Sequence, residues 1–188
     1  MSLINLPERL PGISALLHYR RESAVPLLQL AETLLHSNFS TLTPGEREVI
    51  AGAVSRGNDC SFCAWSHTAA ASHHYGSEVM VQGMIDGDAA PPKMRALLAI
   101  AERVRTGPQS VGQEQVDAAR AAGASDEEIH DAVLIAAAFC MYNRYVEALE
   151  PWVPDNPEIY RTMGAAMAER GYMRDRSQGG DVGSEESE

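Results

Sequence analysis

Residues 48–67 read EVIAGAVSRGNDCSFCAWSH, and this stretch decides how the rest of the sequence is interpreted. It contains a C-x-x-C pair, Cys60 and Cys63, with His67 four positions after the second cysteine. Gly57 is a typical helix stop, and the Asn-Asp pair that follows it is typical of a helix N-cap. The sequence therefore predicts a helix, a short turn and a second helix whose first turn contains Cys60.

A helix with this register carries both thiols and the imidazole on one face. At about 100° per residue, the three positions fall within roughly 60° of one another. Backbone N–H groups at a helix N-terminus stabilise a thiolate, and His67 can accept a proton from a thiol and return it. The spacing favours a dithiol that cycles to a disulfide. Two alternatives stay open: these residues and Glu48 could nominally provide four zinc ligands, or their placement could be incidental.

The composition indicates closely packed helices and excludes a binder of the nucleic-acid backbone. A chain of 188 residues is long enough for a single domain with a sizeable core. Hydrophobic residues make up 45% of it but aromatic residues only 6%, which favours helices over a β-sandwich. The formal net charge of −11 provides no basic stripe for phosphates. We therefore expect an all-α domain with no nucleic-acid partner.

The sequence also carries expectations about its location. It has no apolar run of eighteen residues, so we expect neither a transmembrane helix nor a membrane partner. Its start lacks the basic region and long apolar core of a signal peptide. Three cysteines, an odd number, favour redox or metal chemistry over structural bridges. Cys140, within an apolar run, is expected to be an inert core thiol. We therefore expect a cytoplasmic protein.

Breaker residues divide the chain into three segments. Residues 1–22 contain two prolines and a glycine and are expected to be extended. Residues 23–171 alternate apolar helical patterns with capping and breaking signals, which predicts a helical redox domain. Residues 172–188 are polar and acidic and are expected to be flexible. The expected fold class is all-α, a single-domain bundle of about seven or eight helices.

Local signals fix several helix ends within this bundle. Thr43 with Glu46, and Ser125 with Glu128, have the spacing of capping boxes. The second box opens the longest and most apolar helix, which we expect at the buried centre of the fold. Gly52 lies inside the helix that the first box opens. A glycine there costs about 1 kcal/mol of helix stability, so we expect another backbone to come close to it.

The array of Glu48, Cys60, Cys63 and His67 resembles the signature of the alkyl hydroperoxidase D-like family. That family is part of the carboxymuconolactone decarboxylase-like superfamily. The later stretch GASDEEIHDAVLIAAAFCMYNRY, residues 123–145, is similar to the long helix that follows the motif in these proteins. The likeness covers about residues 40–150 and is closest to the branch of peroxidase-related proteins.

The resemblance implies an all-helical fold that forms homo-oligomers and needs no bound cofactor. Its dithiol would reduce a hydroperoxide substrate or pass electrons to a partner, and an external thiol or disulfide reductase would supply the electrons. By position in the motif, Cys63 would attack the peroxide and become a sulfenic acid. Cys60 would then resolve it as a Cys60–Cys63 disulfide. Glu48 and His67 would relay the proton to the leaving oxygen.

The sequence departs from the family pattern at one position. The best-known members have a second histidine immediately before the second cysteine, and this chain has Phe62 there. The change removes one group from the proton relay and makes the pocket drier. General thiol–disulfide exchange therefore stays open as an alternative activity. The same change also suggests an apolar substrate path shared with Trp65, although both residues could equally be core or interface residues. The decarboxylase branch lacks the paired cysteines, so decarboxylation is not expected. The alternative is a zinc-stabilised or redox-sensing binding protein without peroxidase turnover.

Overall fold

The computed structural model describes residues 2–38, 40–87, 89–107 and 111–173. These residues form nine α-helices and one π-helical turn, Glu32–His36, and contain no strand. The helices are α1 Ile13–Tyr19, α2 Arg21–Ala31, α3 Pro44–Gly57, α4 Ser61–Tyr75, α5 Glu78–Asp86, α6 Pro92–Thr106, α7 Gln113–Ala121, α8 Asp126–Glu147 and α9 Pro157–Arg170. The all-α prediction is confirmed, with slightly more helices than expected. None of the described helices has the length and apolar character needed to cross a membrane.

The expectation that residues 1–22 are extended is wrong over α1 and the start of α2. The breakers lie before α1 and do not interrupt it: Gly12 is its N-cap, with a φ of +50° that favours glycine. Leu16 and Leu17 follow Ile13 at helical spacing, and both leucines are buried. The proline and glycine therefore mark where the helix begins.

The capping boxes form as the sequence predicts. The Glu46 backbone N–H donates to Thr43 Oγ1 over 3.2 Å, and the Thr43 N–H donates to the Glu46 carboxylate over 2.8 Å. Ser125 and Glu128 make the same reciprocal pair at the start of α8. α3 also ends at Gly57, as expected. These caps satisfy backbone groups that a helix end would otherwise leave unpaired.

α4 lies against both of its main neighbours, α3 and α9. A Cβ on Gly52 of α3 would be 3.5 Å from the backbone nitrogen of Thr68, which is an ordinary contact distance, so the backbone approach at this position is not close enough to require a glycine. A Cβ on Gly164 of α9 would be only 2.5 Å from the carbonyl carbon of Ala69. α4 is therefore held between α3 and α9, and its position fixes that of the cysteine pair.

The apolar core has two parts. The larger part is built mainly from α3, α6 and α8. The smaller part surrounds the cysteines; its buried members are Leu6, Ala15, Leu16, Cys60, Phe62, Cys63, Val146 and Tyr160. The two thiols consequently lie in an apolar environment that the N-terminal segment helps to close.

The C-terminal segment does not separate from the body at residue 171. Tyr172 packs against the larger part of the core, and its backbone N–H donates to Glu32. The flexible acidic tail predicted for residues 172–188 lies, from residue 174 onwards, outside the described residues.

Candidate active site

The turn between α3 and α4 presents Cys60 at the helix end. The Cys60 backbone N–H donates to the Ser55 carbonyl over 3.0 Å, and the Cys60 carbonyl accepts from the Ala64 N–H over 2.9 Å. Cys60 is therefore the N-cap of α4, one position before the first turn in which we expected it. Asp59, the residue before it, adopts a left-handed φ of +58° within the turn.

A buried pair of amides holds this turn against α8. Asn58 Nδ2 donates to Asn143 Oδ1 over 2.9 Å, and Asn143 Nδ2 donates to Ser55 Oγ over 3.0 Å. Asn143 is only 1% exposed, so these bonds replace those that water would make. Asn58 Nδ2 also contacts Cys140 Sγ at 3.6 Å, and this third thiol is half-buried beside the turn. The sequence analysis missed Asn143, which is buried near the end of an apolar helix.

The two thiols of the C-x-x-C pair are in contact, and their surroundings differ. Both are reduced and buried. The Cys60 thiol is hydrogen-bonded with Cys63, and this bond, together with burial and the nearby Glu147 carboxylate, raises the pKa of Cys60 well above its usual range. Cys60 therefore keeps its proton at a pH at which an ordinary thiol would lose it.

Glu48 and His67 form a buried pair across α3 and α4. Glu48 Oε2 lies 2.7 Å from His67 Nδ1, and the glutamate is 2% exposed. An ionised carboxylate can only accept hydrogen bonds, so Nδ1 carries the proton and Nε2 is the basic nitrogen. The edge-to-face packing of Phe139 on the imidazole, with ring centroids 4.6 Å apart, further fixes its orientation.

A tyrosine that the sequence analysis placed in the acidic tail completes this group. Tyr172 Oη donates to Glu48 Oε1 over 2.5 Å and lies 3.4 Å from His67 Nδ1. Its ring is nearly parallel to the imidazole, at 17° and a centroid distance of 6.2 Å. The only signal in the sequence was an aromatic residue at the start of a polar segment.

One small cavity connects these groups. It has a volume of about 100 Å³ and is lined by Cys63, His67 and Tyr172. The rest of its wall is almost entirely apolar; it includes Ile13, Leu17, Leu27, Leu28, Phe62, Phe139, Met163 and Met167. A small molecule in this cavity would meet the Cys63 thiol and the relay side chains in a mainly apolar environment.

Comparisons with known proteins agree with this architecture. Residues 26–103, which include the whole motif, match the carboxymuconolactone decarboxylase family. The fold is similar to the crystal structure of an alkylhydroperoxidase AhpD core, an uncharacterized peroxidase-related protein from Ralstonia eutropha JMP134. The TM-score is 0.72 at 25% identity, over 83% of this chain and 82% of that one. The segment that carries the motif is thus similar to the carboxymuconolactone decarboxylase family, and the fold is similar to that of an alkylhydroperoxidase AhpD core.

A second solved structure has a similar fold. It is an uncharacterized peroxidase-related protein from Silicibacter sp. TM1040, with a TM-score of 0.68 and 23% identity. The alignment covers 76% of this chain and 74% of that one. A search of the curated proteins returned no match.

The structure places the four motif residues in two bonded pairs. Glu48 is hydrogen-bonded to His67, Cys60 is hydrogen-bonded to Cys63, and Cys63 and His67 meet at the cavity. They do not form one set of zinc ligands. In the part of the chain that the structure describes, no three His, Cys, Asp or Glu side chains are placed to hold a metal ion.

Phe62, which replaces the second histidine of the family pattern, is part of the apolar wall. It is 3% exposed, lines the cavity and packs against Tyr160 with centroids 6.0 Å apart. Trp65 instead lies outside, half exposed, with its edge against the same tyrosine. The apolar path suggested by the sequence thus includes Phe62 but runs between helices, away from Trp65.

Proposed function

We propose that the protein is a thiol peroxidase that reduces small organic hydroperoxides through the Cys60/Cys63 dithiol. The observation that carries the proposal is the shared cavity: one thiol of a hydrogen-bonded pair opens onto the same apolar space as a histidine held by a buried glutamate. An apolar wall favours an organic hydroperoxide over a strongly hydrated substrate.

The first step forms a sulfenic acid on Cys63. His67 Nε2 takes the Cys63 thiol proton, and the thiolate attacks the terminal oxygen of the hydroperoxide. The O–O bond breaks, the sulfur is oxidised by two electrons, and the alkoxide accepts the proton from His67 to leave as an alcohol. Glu48 holds the imidazole and stabilises its charged form during the transfer.

The second step forms the disulfide. The Cys60 sulfur attacks the Cys63 sulfenic acid, an S–S bond forms, and the hydroxyl leaves as water with the Cys60 proton. The existing contact between the two side chains supports this role of Cys60. An external dithiol or a disulfide reductase then returns two electrons and two protons to the pair.

The test combines turnover with intact mass. We expect Cys63→Ser to abolish reduction of tert-butyl hydroperoxide, while Cys140→Ser, which leaves the dithiol intact, keeps it. One equivalent of peroxide should remove two alkylatable thiols and two hydrogens from Cys140→Ser. Reversible disulfide formation without catalytic consumption of peroxide would contradict the proposal and favour a redox sensor. Full turnover by Cys63→Ser would overturn the assignment of the attacking thiol.

A further inference from the structure

The C-terminal end of α9 brings a phenol to the buried carboxylate of the relay. Tyr172 Oη lies 2.5 Å from Glu48 Oε1, while the other oxygen of the same carboxylate binds His67. Since Nδ1 already donates to Oε2, the hydroxyl donates to Oε1. Both oxygens of Glu48 therefore have a fixed donor, and the plane of the carboxylate is set by the two bonds together.

A second glutamate holds the segment that carries this tyrosine. Glu32 Oε2, at the start of the π-helical turn, accepts the backbone N–H of Tyr172 over 2.6 Å and that of Met173 over 3.3 Å. Its other oxygen binds His36 Nδ1 at 2.7 Å. Burial opposes ionisation of Glu32, but the backbone and histidine bonds outweigh it and lower the pKa of the carboxyl below its usual range.

The chain can reach Glu32 only because α9 ends at a glycine. Gly171 has a φ of +69°, a conformation that side chains rarely adopt. A Cβ on it would also collide with the Glu32 carboxylate and lie 2.7 Å from His36 Nδ1. The reversal after α9, the position of Glu32 and the approach of Tyr172 to Glu48 are thus parts of one arrangement.

We propose that Tyr172 is a positioning residue of the proton relay, which holds Glu48, and that Glu32 in turn positions Tyr172. The inference rests on the proposed peroxidase function and extends it to a segment outside the Glu-Cys-Cys-His motif. Tyr172 fixes Glu48 so that Nε2 of His67 remains directed to the cavity, where it returns the proton to the leaving alkoxide. No electrons pass through the tyrosine, and its own proton stays on the hydroxyl.

This role predicts a dependence on the leaving group. An alkoxide leaves only when it is protonated, whereas acetate, released from peracetic acid, leaves as the anion. Loss of the first thiol proton is common to both substrates. We therefore expect Tyr172→Phe to lower kcat/KM for tert-butyl hydroperoxide about 10- to 100-fold, the range for losing a hydrogen bond to a charged group. The loss with peracetic acid should be under about 3-fold.

Tyr75→Phe is the matched control. It removes the hydroxyl of another half-buried tyrosine, at the far end of α4, whose partner is Thr43. We expect it to keep both activities. If Tyr172→Phe lowered kcat/KM equally for the two substrates, the effect would be a general structural one and the inference would be overturned. An unchanged kcat/KM for both substrates would overturn it as well. If the wild type reduces neither substrate, the proposed function fails and this inference fails with it.

The positioning role of Glu32 has its own readout in the full chain. Glu32→Ala should speed hydrogen exchange at the amides of Tyr172 and Met173 and give the same selective loss with tert-butyl hydroperoxide. Glu22→Ala, which changes an exposed glutamate of the preceding helix α2, should alter neither the hydrogen exchange nor the kinetics. Faster exchange with unchanged kinetics would overturn the role of Glu32 while leaving that of Tyr172.

Discussion

At the residue scale, the raised pKa of Cys60 makes stability depend on alkaline pH. An unfolded thiol titrates near 9.0, whereas in the folded protein the bond with Cys63 and burial keep Cys60 protonated well above that pH. Below pH 9 both states hold the proton, so its full contribution to stability is present. At higher pH only the unfolded state loses the proton, so the free energy of unfolding falls by up to about 1.4 kcal/mol per pH unit.

Cys60→Ser removes this contribution, so the free energy of unfolding of this variant should fall less steeply with pH above pH 9. The measurement is denaturant unfolding of the reduced proteins across the range above pH 9. The buried tyrosine Tyr142, whose pKa is raised by burial to about 12, titrates equally in both proteins and cancels. If the free energy of unfolding fell equally steeply in the wild type and in Cys60→Ser, the fold would not protect Cys60 from losing its proton.

The roles proposed for the two sulfurs predict what a single turnover leaves behind. In Cys60→Ser no thiol can resolve the oxidised Cys63, so one equivalent of hydroperoxide should give a stable sulfenic acid. A dimedone adduct located at Cys63 by peptide mass spectrometry would detect it. Cys63→Ser should give no such adduct at Cys60, which is fully buried and holds its proton. An adduct at Cys60 would reverse the assigned order.

At the element scale, the crossing of α4 and α9 depends on the absence of a side chain at Gly164. Because an added Cβ would lie 2.5 Å from the backbone of Ala69, the two helices would have to separate. We expect Gly164→Ala to destabilise the protein by about 1–3 kcal/mol, measured by denaturant unfolding. Gly107→Ala, where a Cβ meets nothing within 4 Å, should be near neutral. Equal effects would show that the crossing tolerates a methyl group.

Elements with local signals were predictable from the sequence, and those that depend on distant contacts were not. Residue spacing over a few positions predicts the capping boxes that begin at Thr43 and Ser125, and it also predicts the motif around the cysteines. α1 was missed because its breakers were interpreted as interrupting a helix that in fact begins after them. Tyr172 was missed because its partner Glu48 is 124 residues away in the chain, and no local pattern encodes that contact.

At the scale of the whole molecule, the candidate site is assembled from both ends of the described chain. α1 and α2 close one side of the cavity, α8 forms another, and α9 brings Tyr172 to the relay. The family match ends at residue 103. It contains the motif but neither α8 nor α9. The folded body consequently extends past the boundary expected at residue 171, and the end of α9 belongs to the site.

The homo-oligomer that the family resemblance implies stays a prediction, and α8 offers a surface on which to test it. Leu134, Ala137 and Met141 are exposed and lie on one stripe of this helix. Exposed apolar residues in a row are typical of an interface rather than of a solvated face. We expect light scattering after size exclusion to give a multiple of the 20.3 kDa chain mass.

A charge placed on that stripe should separate the subunits if the stripe forms the contact. Met141→Glu would bury a carboxylate against apolar groups in the assembly, a cost that the free chain avoids because the side chain is 43% exposed there. The scattering mass should therefore fall while the helical content is kept. Val79→Glu makes the same change on α5, at a residue that is 85% exposed, and should leave the mass unchanged. If Val79→Glu dissociates the assembly and Met141→Glu does not, the interface lies on α5, and α8 faces solvent.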